Sequence, residues 1–226
     1  MIFILDTADR EAIRHINEFY PLDGVTTNPS IVSKEKTDFY ALMKEIRGII
    51  GEEKMLHIQT GQKTAEGMVE EAKRLKEEIG GNIYVKIPIG EEGLKATMEI
   101  KKQGICGVTM TAIFTPNQAL VSAKAGADFV APYVNRLDNI CGDGTRVVKD
   151  IVDIFASYSI TNCKVLAASF KNADQVYKCA KAGCHSITAS ADIFSLLISH
   201  PMTDAAVAGF DKDWKSVYGE KTILDF

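Results

Sequence analysis

Lys124-Ala125-Gly126-Ala127-Asp128-Phe129-Val130-Ala131-Pro132-Tyr133 is the stretch that decides the fold. It leads from the end of a helix, across a glycine, into a short apolar run. Near-copies of its first half occur at Gln103-Gly104-Ile105 and Lys181-Ala182-Gly183-Cys184. Glycine ends helices because it takes the left-handed conformation without steric cost. Three recurrences of the junction therefore mark one repeated unit, a helix feeding a strand.

The same alternation extends in both directions. Apolar runs at Ile2–Leu5, Gly24–Thr27, Lys54–Gln59, Ile83–Pro88, Gly107–Met110, Ala127–Tyr133, Lys164–Ala168 and His185–Thr188 predict strands. Between them, helices are expected over Asp9–Phe19, Thr37–Ile50, Thr64–Ile79, Glu91–Gln103, Pro116–Lys124, Asn172–Lys181 and Ala191–Ile198, with another from the Asn139–Gly144 loop through Tyr158. Met68, Ala72, Leu75 and Ile79 show the spacing of one helical face. Eight such units predict a closed parallel (β/α)8 TIM barrel over residues 1–200. Nearly wholly apolar strands suit a sheet covered on both faces. An open doubly wound sheet is the competitor, but Leu5-Asp6-Thr7-Ala8 has none of the glycines of a dinucleotide loop. Residues 201–226 lie beyond the barrel and predict an extra C-terminal helix, about Thr203–Val217, and a tail.

A chain of 226 residues, 46% of them hydrophobic, suffices for a single large core. With 26 basic and 30 acidic side chains, no global charge draws it to nucleic acid or an anionic membrane. Five cysteines without a C-x-x-C pair read as scattered thiols of a reducing compartment. Cys184-His185 has no second ligand at zinc-site spacing, so no metal is expected. The short apolar start meets Asp6 at once, and no run nears the roughly 18 residues of a membrane span, so a cytoplasmic location is expected.

Barrel active sites gather at the C-terminal strand ends, and these ends are polar. Lys86 interrupts Ile83-Tyr84-Val85-Lys86-Ile87-Pro88. An isolated buried ammonium is costly, so its charge must be solvated, paired or lost. A lysine snorkelling to the surface is the plain alternative. Asp6 ends strand one and is free to face inward if Thr7 or Asp9 caps the helix. Thr26-Thr27-Asn28-Pro29 offers hydroxyls and an amide, or simply a turn. Gln59 can hydrogen-bond but cannot titrate. Thr109 and Thr111 share a strand face. Tyr133 is a candidate acid–base residue, or a packing tyrosine. Arg136 and Ser169 could cradle a phosphate. His57 and His185 fall within strands and are expected to pack. A lone lysine among hydroxyls, one carboxylate and one phenol suits Schiff-base chemistry better than metal hydrolysis or a Ser-His system.

These residues lie in motifs that resemble the transaldolase family, and more narrowly its small bacterial and archaeal subgroup that includes fructose-6-phosphate aldolase. The resemblance spans the chain: Leu5-Asp6-Thr7-Ala8, Gly24–Ser30, Thr64–Met68, Val85-Lys86-Ile87-Pro88, Ala131–Asp138, Ala167-Ala168-Ser169-Phe170 and His200–Asp204. It implies a class I aldolase-like enzyme on an eight-stranded barrel, with neither metal nor organic cofactor. By position, Lys86 would form the imine and Asp6 would align its network. Thr26, Asn28 and Thr111 would contact substrate hydroxyls and water, Arg136 and Ser169 would take the phosphate, and Ala131 would lie beside them. Gln59 and Tyr133 match the aldolase, where transaldolases carry Glu and Phe. The implied reaction is cleavage of fructose 6-phosphate to dihydroxyacetone and glyceraldehyde 3-phosphate, and its reverse. Transaldolase transfer and a non-catalytic scaffold are the alternatives. Sugar phosphates, small ketoses and aldehydes are the implied partners, in a homo-oligomer of pentamer or decamer type whose C-terminal helix packs on a neighbour. Two stretches depart from the pattern: Gly107–Thr111, and Thr188-Ala189-Ser190-Ala191-Asp192 after strand eight.

Overall fold

A computed structural model describes residues 1–226. Eight parallel strands close into a barrel in sequence order. They are β1 (Ile2–Asp6), β2 (Gly24–Thr26), β3 (Met55–Gln59), β4 (Ile83–Pro88), β5 (Gly107–Ile113), β6 (Phe129–Pro132), β7 (Lys164–Ala167) and β8 (Ser186–Ala189). The main outer helices are α1 (Arg10–Phe19), α3 (Phe39–Ile50), α4 (Ala65–Ile79), α5 (Glu91–Gln103), α6 (Pro116–Lys124), α8 (Gly144–Ser157), α9 (Ala173–Lys181) and α10 (Ala191–Ile198). The barrel and the unit count match the expectation. Gly104, Gly126 and Gly183, the repeated junction, all have positive φ (63°, 98° and 85°).

Two short helices were not expected: α2 (Pro29–Val32) after β2, and α7 (Val134–Asp138) directly after β6. Asn28 caps α2, its Oδ1 accepting the Ile31 N–H at 3.1 Å. Of the two readings of this motif, the simple turn gives way to a helix start, with proline at its first position, where no N–H is needed. The predicted helix from Thr37 begins later, at Phe39, because Asp38 takes the capping position.

The wall and the lumen of the barrel are chemically different. Leu5, Val25, Leu56, Ile58, Val85, Ile87, Val108, Met110, Val130, Val165 and Ile187 belong to the large core shared with the helices. The residues alternating with them point into the barrel. At its lower end, Ile4, Phe129 and Leu166 form a small separate cluster, with Tyr84 packed against it. Above that the lumen turns polar, with Thr26, His57, Lys86, Thr109, Thr111 and Thr188 all buried. The nearly all-apolar reading of the strands thus holds for their outer faces only. Gly107 makes room inside: an added Cβ would lie 2.2 Å from the Tyr84 ring. That ring stacks on His57 with centroids 4.6 Å apart.

The C-terminal segment differs from the barrel. Helix α11 (Pro201–Tyr218) buries none of its residues. Its Phe210 and Val217 are each 71% exposed. The tail folds back on it, with Trp214 Nε1 donating to the Lys221 carbonyl at 2.6 Å and Tyr218 packing edge-on against Phe226. No single helix is long and apolar enough to cross a membrane.

Candidate active site

Lys86 stands in the lumen near the C-terminal end of β4 and is only 5% exposed. Its Nζ donates to the Thr27 carbonyl at 2.8 Å. Burial pushes the amine below the ordinary lysine value of 10.5, while the charge of Asp6 pulls it partly back. The amine lines a cavity of about 120 Å³ with Asp6, Thr26, Asn28, Thr111, Ala131, Tyr133, Arg136, Ser169 and Thr188. The sequence had separated these residues by up to the length of the barrel; closure of the sheet brings them together.

The helix after β1 is capped by Asp9, whose Oδ1 accepts from the Glu11 and Ala12 N–H groups. Asp6 is therefore free of capping duty. It accepts from Thr26 Oγ1 at 2.6 Å. Thr26 Oγ1 lies 2.6 Å from Thr188 Oγ1 on β8. On β5, Thr109 turns down to His57 Nδ1 at 2.8 Å. Thr111 turns to the mouth, 3.0 Å from the Tyr133 hydroxyl. Between Met110 and Ile113 the register to β6 shifts. Ala112 takes positive φ, 58°, at this bulge. Bulges at barrel rims re-aim side chains; this one follows Thr111.

His57 is fully buried, and burial, reinforced by Lys86, pushes its pKa down to about 3. Its Nε2 has no hydrogen-bond partner. The imidazole is thus neutral and packed, as its position in a strand predicted. His185 precedes β8, and its Nδ1 accepts the Val165 N–H at 3.1 Å.

Arg136 follows Tyr133 by one turn of α7. Its guanidinium sits over the Tyr133 ring, 4.8 Å from the centroid. That side chain is exposed and forms no ion pair within the protein, so it is available to an anion. Ser169 adopts φ 64°. In that conformation its carbonyl accepts the Asn135 N–H at 2.8 Å, and the Ala168 carbonyl takes the Val134 N–H at 2.9 Å. These bonds fix α7, and with it Arg136, to the end of β7. Gln59 is the Cα partner of Lys86 on β3. It lines an adjoining cavity of about 420 Å³, between the β2 and β3 loops, that meets the Lys86 cavity at Asn28.

Thr188 is the polar cavity residue that the sequence reading did not single out as a site residue. The available signal was alternation: Ser186 and Thr188 share one face of β8. Threonine is common in strands, however, and only the stagger of the closed barrel gives this one its partner.

A family model described as Transaldolase/Fructose-6-phosphate aldolase matches residues 3–221. The chain belongs to this family. Solved structures with the same barrel include one described as native KDPGal, with 17% identity, 84% of this chain and 82% of that chain covered, and a TM-score of 0.59. A flavocytochrome b2 variant with sulfite bound aligns at 10% identity and TM-score 0.60, over 84% of this chain and 56% of its own. A mandelate oxidase variant with a monooxide FMN adduct aligns at 11% and 0.56, over 84% and 64%. At these identities the structural likeness shows the barrel alone. The family match adds that the chain is of the aldolase and transaldolase kind.

Proposed function

We propose that the protein is a class I aldolase that cleaves fructose 6-phosphate to dihydroxyacetone and glyceraldehyde 3-phosphate, and runs the reverse addition. The observation that carries this is the buried amine of Lys86, hydrogen-bonded to the Thr27 carbonyl but in no salt bridge, held at a polar cavity beside a hydrogen-bonded phenol. An amine pushed below its ordinary pKa has a larger neutral fraction near neutrality, and the neutral amine is the nucleophile.

On this reading Lys86 Nζ adds to the C2 ketone, water leaves, and a protonated imine forms. The proton of the C4 hydroxyl passes to a base, the C3–C4 bond breaks, and its electrons move into the imine as an enamine. Glyceraldehyde 3-phosphate departs. Protonation of the enamine carbon and addition of water to the imine then release dihydroxyacetone and restore the amine. Tyr133, oriented by Thr111, and Asp6, oriented by Thr26, serve as the proton carriers. Thr26 and Asn28 meet the substrate hydroxyls, Ala131 shapes the wall, and Arg136 with Ser169 receives the phosphate. Gln59 acts from the adjoining cavity as a hydrogen-bonding neutral group. The same reading expects neither metal nor organic cofactor and a cytoplasmic setting. It also expects a ring of copies in which α11 packs on a neighbour, consistent with its uncovered apolar side chains.

The second reading is transaldolase, which keeps the enamine for a second aldehyde. Gln59 and Tyr133 favour the aldolase, since an amide in place of a carboxylate removes one proton carrier and a phenol supplies another. Incubation with fructose 6-phosphate, with and without erythrose 4-phosphate, decides between them. Free dihydroxyacetone without the acceptor is expected. Turnover only with the acceptor, yielding sedoheptulose 7-phosphate, would make it a transaldolase. Borohydride added with substrate should fix a reduced adduct on the peptide containing Lys86, and Lys86→Ala should show none. Absence of that adduct from the unaltered enzyme would end both readings and leave a scaffold.

A further inference from the structure

Asp6 and Lys86 stand on the same construction, three strands apart. Beneath Lys86, a hydrogen bond crosses β4 from His57 on the preceding strand to Thr109 on the following one. His57 is in register with Tyr84, and Thr109 with Lys86. Beneath Asp6, a hydrogen bond crosses β1 from Thr188 on β8 to Thr26 on β2. Thr188 is in register with Ile4, and Thr26 with Asp6. In both cases the following strand contributes at the level of the reactive group, and the preceding strand two residues lower. The stagger of the closed barrel produces this diagonal.

The direction of the bond under Asp6 follows from proton counting. A threonine hydroxyl has one proton to give, and an ionised carboxylate can only accept. Thr26 gives its proton to Asp6 Oδ1 at 2.6 Å. The 2.6 Å contact between Thr26 and Thr188 must then be donated by Thr188. The result is a one-way chain, Thr188 O–H to Thr26 Oγ1, and Thr26 O–H to Asp6 Oδ1. Successive hydrogen bonds in a buried chain polarise one another, and Thr26 and Thr188 are 0% and 4% exposed. Its second consequence falls on Thr26, whose proton is committed, so it meets a substrate only as an acceptor.

We infer that Thr188 is a positioning residue of this active site: its hydroxyl sets the direction of the Thr26–Asp6 pair and holds that carboxylate in register with the cavity. The inference rests on the Schiff-base reading above, in which Asp6 carries a proton. The chain touches no reacting atom at Thr188, so its loss should slow proton movement rather than weaken binding.

The test is a set of variants assayed for fructose 6-phosphate cleavage and for the rate at which borohydride traps the Lys86 adduct. Thr188→Val keeps the shape and removes the donor; Thr188→Ser keeps the donor and removes a methyl. In Thr188→Val, kcat is expected to fall about tenfold, the loss of one buried hydrogen bond, with KM nearly unchanged and trapping slowed in step. Thr188→Ser should restore kcat to within about twofold of the parent. If Thr188→Val does not fold, Thr188→Ala takes its place, with the same kcat loss and the same rescue by serine expected. Equal kcat in the valine and parent enzymes, or loss in the serine variant as great as in valine, would overturn the inference. An unaltered enzyme that traps no adduct would instead remove the Schiff-base reading, so the two failures are distinguishable.

Discussion

Lys86 and His57 occupy the same lumen, and only one of them faces the open cavity. The lysine was legible in the sequence because a cation in an apolar run has no ordinary place to go. The histidine was legible only as a packed residue; its layer beneath Lys86 required the register of three strands. Its acid–base consequence is specific. The folded protein holds His57 at about 3, below the ordinary 6.5, so between those values the unfolded chain binds the extra proton. Stability therefore rises with pH across that window and is fully regained above about 6.5. From pH 6.5 down to 4 this one residue should contribute a loss of roughly 3 kcal/mol. His57→Phe should reduce the fall in urea midpoint between pH 7 and pH 4; an identical fall in both proteins would remove the assignment. Tyr133 makes the other residue-scale prediction. Tyr133→Phe deletes the hydroxyl bonded to Thr111 while keeping the ring under Arg136. Cleavage should drop roughly hundredfold in kcat, and an unchanged steady-state rate would refute its role as proton carrier.

Among the elements, the eight strands and nine of the helices, α11 included, were readable because short apolar runs alternate with amphipathic ones, and α3, α4, α5, α6 and α9 stop within two residues of a glycine. Helix α7 was not readable: it has only five residues and no side-chain cap, its first N–H groups being taken by the Ala168 and Ser169 carbonyls at the end of the neighbouring strand β7. Such a helix is a tertiary product rather than a local one. It also carries Arg136, so its placement should matter to phosphate recognition. Gly144 starts α8 where an added Cβ would lie 2.3 Å from the Val134 carbonyl oxygen. Gly144→Ala must push α7 and α8 apart, at a cost of about 1–3 kcal/mol in stability. We expect KM for fructose 6-phosphate to rise by an order of magnitude, roughly what losing part of one charge-assisted contact produces, while kcat with the free ketose changes little. Steady-state kinetics with phosphorylated and unphosphorylated substrates would show this; equal effects on both would disconnect α7 from the phosphate.

For the whole molecule, α11 sets the expectation. A helix with Met202, Val207, Phe210 and Val217 all exposed leaves apolar surface that a lone chain does not cover. In the ring of copies proposed above, removal of residues 201–226 should leave the barrel folded and give single chains, read by light scattering on a sizing column; a truncated protein of the same mass state as the full chain's assembly would show that α11 does not join copies. The barrel itself has a seam, where β1 meets β8 and Ile2–Leu5 pair with Ser186–Ala189. The Asp6–Thr26–Thr188 chain crosses that seam. Contacts so distant along the chain form late and slowly in folding. A growing or partly folded polypeptide could therefore display the Lys86 strand long before β8 arrives, but the hydrogen-bonded carboxylate would be incomplete until the first and last strands joined. On the proposed function, acquisition of activity in the cell would then report closure of the barrel, and a chain cut short before Ser186 would keep Lys86, Asp6 and Tyr133 but lack the threonine that orients the carboxylate.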